Sequence, residues 1–172
     1  MKFVSLINKE KKSTTKRFVL PLKQVNSVVI IWDNELSKSD IEELKTFGHE
    51  FRNAGKDITF VCFYNLKKLP KDFVSTDLYQ LFCKNDFNLF GAPKSPALKA
   101  LLNKPFDMLI NGKIGGNKWI DTISCFSKAS FRIGPYSDSN NISFYEIMIK
   151  PNGADLVENY LIEIGNYLNK IT

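Results

Sequence analysis

A chain of 172 residues that is 44% hydrophobic and 13% aromatic is one domain in length and has the apolar mass for a continuous core. Its net charge of +6 is carried entirely by residues 1–24, where Lys2, Lys9, Lys11, Lys12, Lys16, Arg17 and Lys23 face Glu10 alone, and the remainder balances at 17 basic and 17 acidic residues. No run approaches the roughly 18 to 20 apolar residues of a membrane span, three scattered cysteines form no disulfide framework, and a single histidine without a CxxC pair excludes an ordinary zinc site.

Met1 to Ile7 begins as a secretory signal does, but Asn8 and Lys9 to Lys12 cut the apolar stretch short, so a cytoplasmic location is expected. Residues 1–24 read as a basic arm, and residues 25–172 as a single α/β domain. Ser27 to Trp32 is a continuous β-branched run ending in Asp33-Asn34, the pattern of a strand buried on both faces. Ser39 and Glu42 form a candidate capping box for a helix bearing Ile41, Leu44, Phe47 and Phe51 on one side, stopped at Gly55. His49 falls off that face and is expected in solvent, and Asp57 to Tyr64 is a second strand, so the body opens as β-α-β with a right-handed crossover.

The signal weakens from Asn65 to Pro93: a turn at Lys67 to Pro70, a short strand at Leu78 to Phe82, then a loop with exposed aromatics. Ser95-Pro96 starts a short helix, Phe106 to Asn111 is a strand, and beyond Gly112 to Gly116 a helix aligns Trp119, Ile120, Ile123 and Phe126. Strands follow at Ser130 to Ile133 and Ile142 to Ile149, and a last amphipathic helix runs from about Gly153 to Lys170. This alternation predicts a three-layer α/β sandwich with a mostly parallel sheet, Rossmann-like or flavodoxin-like, preceded by the basic arm.

Ligands of such sheets bind beyond the carboxyl ends of the strands, which nominates Asp33, Asn34, Asn111, Gly115, Gly116, Lys118 and Tyr136 as a crevice. Glycines between a strand and a helix let amides approach a phosphate, with Lys113 or Lys118 adding charge, although the segment matches neither GxGxxG nor GxxxxGK[ST] and reads first as a plain flexible turn. Asp33 is a candidate carboxylate or a turn residue. No GxSxG elbow is present, and Cys62, Cys83 and Cys125 sit in apolar surroundings as reduced core thiols, so no catalytic residue, metal or cofactor is assigned.

The segregated charge points to an anionic partner, with RNA or a ribonucleoprotein surface foremost and a solubilising tail as the alternative. Phe87 and Phe90 are candidate protein-partner contacts or core residues. The primary expectation is thus a non-enzymatic binding module docking through Lys2, Lys9, Lys11, Lys12, Lys16, Arg17 and Lys23. The alternative is a nucleotide- or sugar-phosphate-binding enzyme using the strand-end crevice.

Phe87 to Pro93, Phe106 to Asn111 and Ser127 to Tyr136 together resemble an uncharacterised family of small α/β proteins of Bacteroidetes-type bacteria, over about Val25 to Leu168. That resemblance implies an α/β body behind a basic extension and assigns no activity or site residue. Phe106-Asp107 with its apolar run, followed by Phe131-Arg132-Ile133-Gly134, is more loosely similar to one half of a two-domain glycosyltransferase, whose second half is not expected here.

Overall fold

Val28 to Trp32 forms the centre of a six-stranded sheet in a computed structural model that describes residues 17–137, 144–150 and 156–171. The elements are β1 (Ser27–Asp33), α1 (Lys38–Asn53), β2 (Asp57–Tyr64), β3 (Tyr79–Cys83), α2 (Pro96–Asn103), β4 (Met108–Asn111), α3 (Lys118–Phe126), β5 (Phe131–Pro135), β6 (Ile147–Ile149) and α4 (Val157–Leu168). The strand order is β3-β2-β1-β4-β5-β6, and every pairing is parallel. That order is the Rossmann arrangement rather than the flavodoxin one, and it places the reversal of winding between β1 and β4.

Period-two alternation explains the three layers. Val28, Ile30 and Trp32 face α1 and α4, meeting Leu44, Phe51, Tyr160, Leu161 and Ile164. Val29 and Ile31 face α2 and α3, meeting Leu98, Leu101, Ile120 and Ile123. Both sides of β1 are therefore dry, which is why its sequence shows no polar alternation.

Helix α1 starts earlier than expected. Ser37, not Ser39, is its cap: the Asp40 amide donates to Ser37 Oγ at 3.1 Å, and the Ser37 hydroxyl donates to Asp40 Oδ2 at 2.7 Å. Glu42 instead pairs with Lys45. Gly55, at φ +78°, ends the helix region as expected. Ser95 caps α2, with Pro96 at the first helical position. His49 is half-buried with its ring edge-on to Phe60, which corrects its placement in solvent. α4 is described from Val157, and the proposed start at Gly153 lies outside the described residues, as does the beginning of the strand expected at Ile142.

Two further expectations change. Phe87 is 5% exposed and packs against Phe63 and Trp119, so it is core rather than a partner contact. Lys2, Lys9, Lys11, Lys12 and Lys16 lie outside the described residues, whereas Arg17 already touches the body: its guanidinium donates to the Ser127 carbonyl at 3.3 Å. Leu20 and Leu22 pack on the core, the Lys56 ammonium donates to the carbonyls of Leu22 and Val25, and Lys23 is exposed. Among the described residues no helix is long and apolar enough to cross a membrane.

At one margin of the sheet, β3 does not leave its amides unanswered. The N–H groups of Tyr79, Leu81 and Cys83 donate to Thr76 Oγ1 at 3.0 Å, Ser75 Oγ at 2.9 Å and Asp86 Oδ2 at 2.7 Å.

Candidate functional site

The reversal point brings together the end of β1, the end of β4 and the loop leading into α3. Asp33 closes β1 on the side facing α3, because Val29 and Ile31 face that way and the next odd position continues the alternation. Its carboxylate is 0% exposed and fully engaged: Asn117 Nδ2 donates to Oδ2 at 2.7 Å, the Glu35 amide to Oδ1 at 3.1 Å, and Lys113 Nζ lies 3.2 Å from Oδ1. A buried carboxylate needs such partners, since desolvation without them is prohibitive.

Asn111 ends β4 and serves as the junction below this pair. Its Oδ1 accepts the Lys113 amide at 2.8 Å, so one loop residue is held by Asn111 through its backbone and by Asp33 through its side chain. The Asn111 carbonyl accepts the Tyr160 hydroxyl from α4 at 3.0 Å, and its amide group donates to Tyr145 Oη at 2.7 Å. Tyr145 Oη also lies 3.3 Å from Asp121 Oδ1 and 3.2 Å from Ser124 Oγ. Burial pushes the Asp121 carboxyl up to about 6, opposed by the Tyr145 hydrogen bond. Burial likewise raises the phenols of Tyr145 and Tyr160 far above their ordinary range.

The loop above is open. Gly115 and Gly116 are exposed with φ of +87° and +78°, and a Cβ on either would meet nothing within 4 Å. Two consecutive left-handed residues give the chain its reversal into α3, whose first turn Asn117 caps by accepting the Trp119 amide at 2.9 Å. Asn34 joins β1 to β2, its Oδ1 accepting the Asn65 amide at 3.0 Å, while Asn65 Nδ2 donates to Glu35 at 2.7 Å.

Of the nominated crevice, Asp33 and Asn111 thus converge through Lys113, with Gly115 and Gly116 in the loop above and Asn34 on its rim. Lys118 lies over the Trp119 ring, its ammonium 4.7 Å from the ring centre. Tyr136 stands exposed beyond β5, tied by its amide to Ile149 at 2.8 Å and approached by Lys150. Asn117, Asp121, Ser124, Tyr145 and Tyr160 were not among the nominated residues. Asn117 alone carried a usable signal, as an asparagine immediately before an amphipathic helix. Among the described residues no cluster of three or more His, Cys, Asp or Glu is placed to hold a metal ion.

A second polar assembly braces β5. Arg132, 2% exposed, donates through Nη2 to Glu146 Oε1 at 2.7 Å and through Nη1 to the carbonyls of Ser124 and Cys125. It pins the end of α3 and the approach to β6 to one strand.

No curated protein matches the chain. The fold is similar to that of the glycosyl transferase family 9 structure from Veillonella parvula DSM 2008, with a TM-score of 0.54 and 12% identity over 90% of this chain. This chain spans 43% of that protein's length, and at such identity the likeness is one of fold. Residues 2–171 match the model of a family of unknown function, and the chain belongs to that family, DUF6913.

Proposed function

We propose that this protein binds a phosphate-bearing small molecule of the nucleotide or sugar-phosphate class where β1 and β4 end, and holds it without chemical conversion. The observation that carries the reading is the loop from Gly112 to Asn117, which sets two exposed left-handed glycines over the reversal point at the entrance to α3. Exposed backbone at such a place is suited to an anion, because loop amides and the first turn of a helix carry partial positive charge. Binding is favoured over catalysis by the state of the acids: Asp33 is closed off by Lys113 and Asn117, and Asp121 stands behind Tyr145. Neither is presented to a ligand as a proton acceptor.

Thermal-shift measurements against nucleoside mono-, di- and triphosphates, nucleotide sugars and sugar phosphates test this. A concentration-dependent rise in Tm confined to one class, abolished by Gly115→Val with Gly116→Val, is the expected result. A flat response across the whole panel rejects the proposal.

A second reading rests on the charge segregation. Lys2, Lys9, Lys11, Lys12 and Lys16 precede the first described residue, and a cationic extension of this kind is suited to RNA or another polyanion. Retention on RNA compared between the full chain and a chain starting at Arg17 distinguishes it. Each phosphate neutralised on duplex nucleic acid contributes about 0.9 to the salt slope, and equal slopes for the two chains exclude the extension as the contact.

A further inference from the structure

The end of the molecule where β2 and β3 finish displays apolar side chains on a stiff support. Phe87 and Pro93 pair as an antiparallel bridge at the base of a miniature hairpin. Within it, the Asn88 amide donates to the Ala92 carbonyl at 2.9 Å and the Gly91 amide to the Asn88 carbonyl at 2.9 Å. Asn88 Oδ1 accepts the amides of Phe90 at 2.9 Å and Ala92 at 3.0 Å, and Gly91 takes φ +83°. The root of the hairpin is the buried Phe87, wedged against Phe63 and Trp119. Its tip is Leu89, 101% exposed, followed by Phe90 at 55%.

Fixing a turn costs conformational entropy, and here the turn is fixed in the geometry that keeps leucine in water. The neighbouring β2–β3 connection continues the surface: Leu66, Phe73 and Val74 are exposed, the Lys84 amide donates to the Leu66 carbonyl at 2.9 Å, and Phe73 stacks edge-on to Tyr64. Exposed lysines 67, 68, 71, 84 and 94 belong to the same two segments. The acids of the same segments are Asp72, Asp77 and Asp86, the last of them accepting the Cys83 amide, so the lysines are in excess by five to three.

We propose that this end docks on an anionic lipid bilayer, with Leu89 and Phe90 entering the acyl boundary and the lysines meeting the headgroups. A protruding apolar tip with lysines around it matches a surface that is apolar beneath and negative above, and lysine stems reach from one layer to the other. Nucleic acid fits less well, because the most exposed apolar side chains, Leu89 at the tip and Val74, are aliphatic, and Phe73 is already set edge-on to Tyr64. The contact is peripheral, consistent with the absence of a spanning helix among the described residues. It uses other loops on the same carboxyl-terminal edge of the sheet as the Asp33 crevice, and substitutions at Leu89 and Phe90 leave the residues of that crevice unchanged, so the two proposals are tested separately.

The test uses the full chain and vesicles of phosphatidylcholine, with and without phosphatidylglycerol. Sedimentation with the anionic vesicles alone is expected. Leu89→Ser with Phe90→Ser keeps every charge and lowers the vesicle partition about tenfold with the melting temperature unchanged. The indole introduced by Leu89→Trp is quenched by brominated acyl chains. Retention unaltered by the serine pair means that charge alone holds the protein, and either that result, an absence of quenching, or capture of a soluble protein or RNA through the same tip in place of vesicles overturns the proposal.

Discussion

Lys113 Nζ lies 3.2 Å from Asp33 Oδ1, joining the loop after β4 to the last residue of β1 across a contact where the carboxylate is wholly withdrawn from water. The pair is formed by residues 80 positions apart, so it exists only once β1 and β4 are neighbours. Removing the cation leaves the acid without a counter-charge. Lys113→Met is expected to cost about 3 kcal/mol in urea unfolding, and adding Asp33→Asn recovers most of it. Equal stability of the single and double variants contradicts this.

Asp121 gives the protein a pH dependence of definite sign. Burial raises its folded-state pKa from 3.8 to about 6, so the native state retains a proton that the unfolded chain releases. Its contribution is fully present below the unfolded value and is lost as pH rises through about 6, amounting to up to roughly 3 kcal/mol. Asp121→Asn keeps an acceptor for Tyr145 and removes this titration. The variant should match the wild type at low pH and exceed it at pH 7, a difference that paired denaturant curves across the window measure.

Two helix glycines should respond oppositely to alanine. A Cβ on Gly48 would lie 2.3 Å from Phe60 Cε1 and 3.1 Å from Ile30 Cδ1, whereas one on Gly165 meets nothing within 4 Å. The propensity gain of about 1 kcal/mol applies to both, but overpacking costs about 1 to 3 kcal/mol at the first. Gly165→Ala therefore raises Tm and Gly48→Ala lowers it. A rise in both would show that Phe60 yields without cost.

The thiol of Cys62 is pushed up to about 12, chiefly by burial and then by the charge of Asp33. At pH 8 almost none of it is thiolate, and all three cysteines are buried. Labelling with a disulfide reagent should be slow in the native protein and accelerate with denaturant in step with unfolding. Rapid native modification at Cys62 would contradict the burial.

The layered body was legible because its signals are local. Val28 to Trp32 and Asp57 to Tyr64 announce buried strands by composition, and Gly55 and the Ser95-Pro96 pair mark helix ends by conformational preference. In sequence the start of α1 reads at Ser39 with Glu42, whereas the cap is Ser37, which has Asp40 at the same spacing. The choice between them accompanies a turn out of β1 in which Asp33 accepts the Glu35 amide. Phe87 was hidden by surroundings of Asn, Gly and Pro that read as loop, although its ring belongs to the core. The engagement of Asp33 by Lys113 and Asn117, and of Arg132 by Glu146, depends on strand order and on returns of the chain that no local pattern encodes.

The three side chains that receive the amides of Tyr79, Leu81 and Cys83 bear on how this molecule behaves when crowded. An incoming extended segment needs vacant donors to zip onto an outermost strand, and along β3 those donors are taken from within the chain by Thr76, Ser75 and Asp86. Fibrillar stacking or strand exchange at that border would first have to dislodge a threonine, a serine and an aspartate.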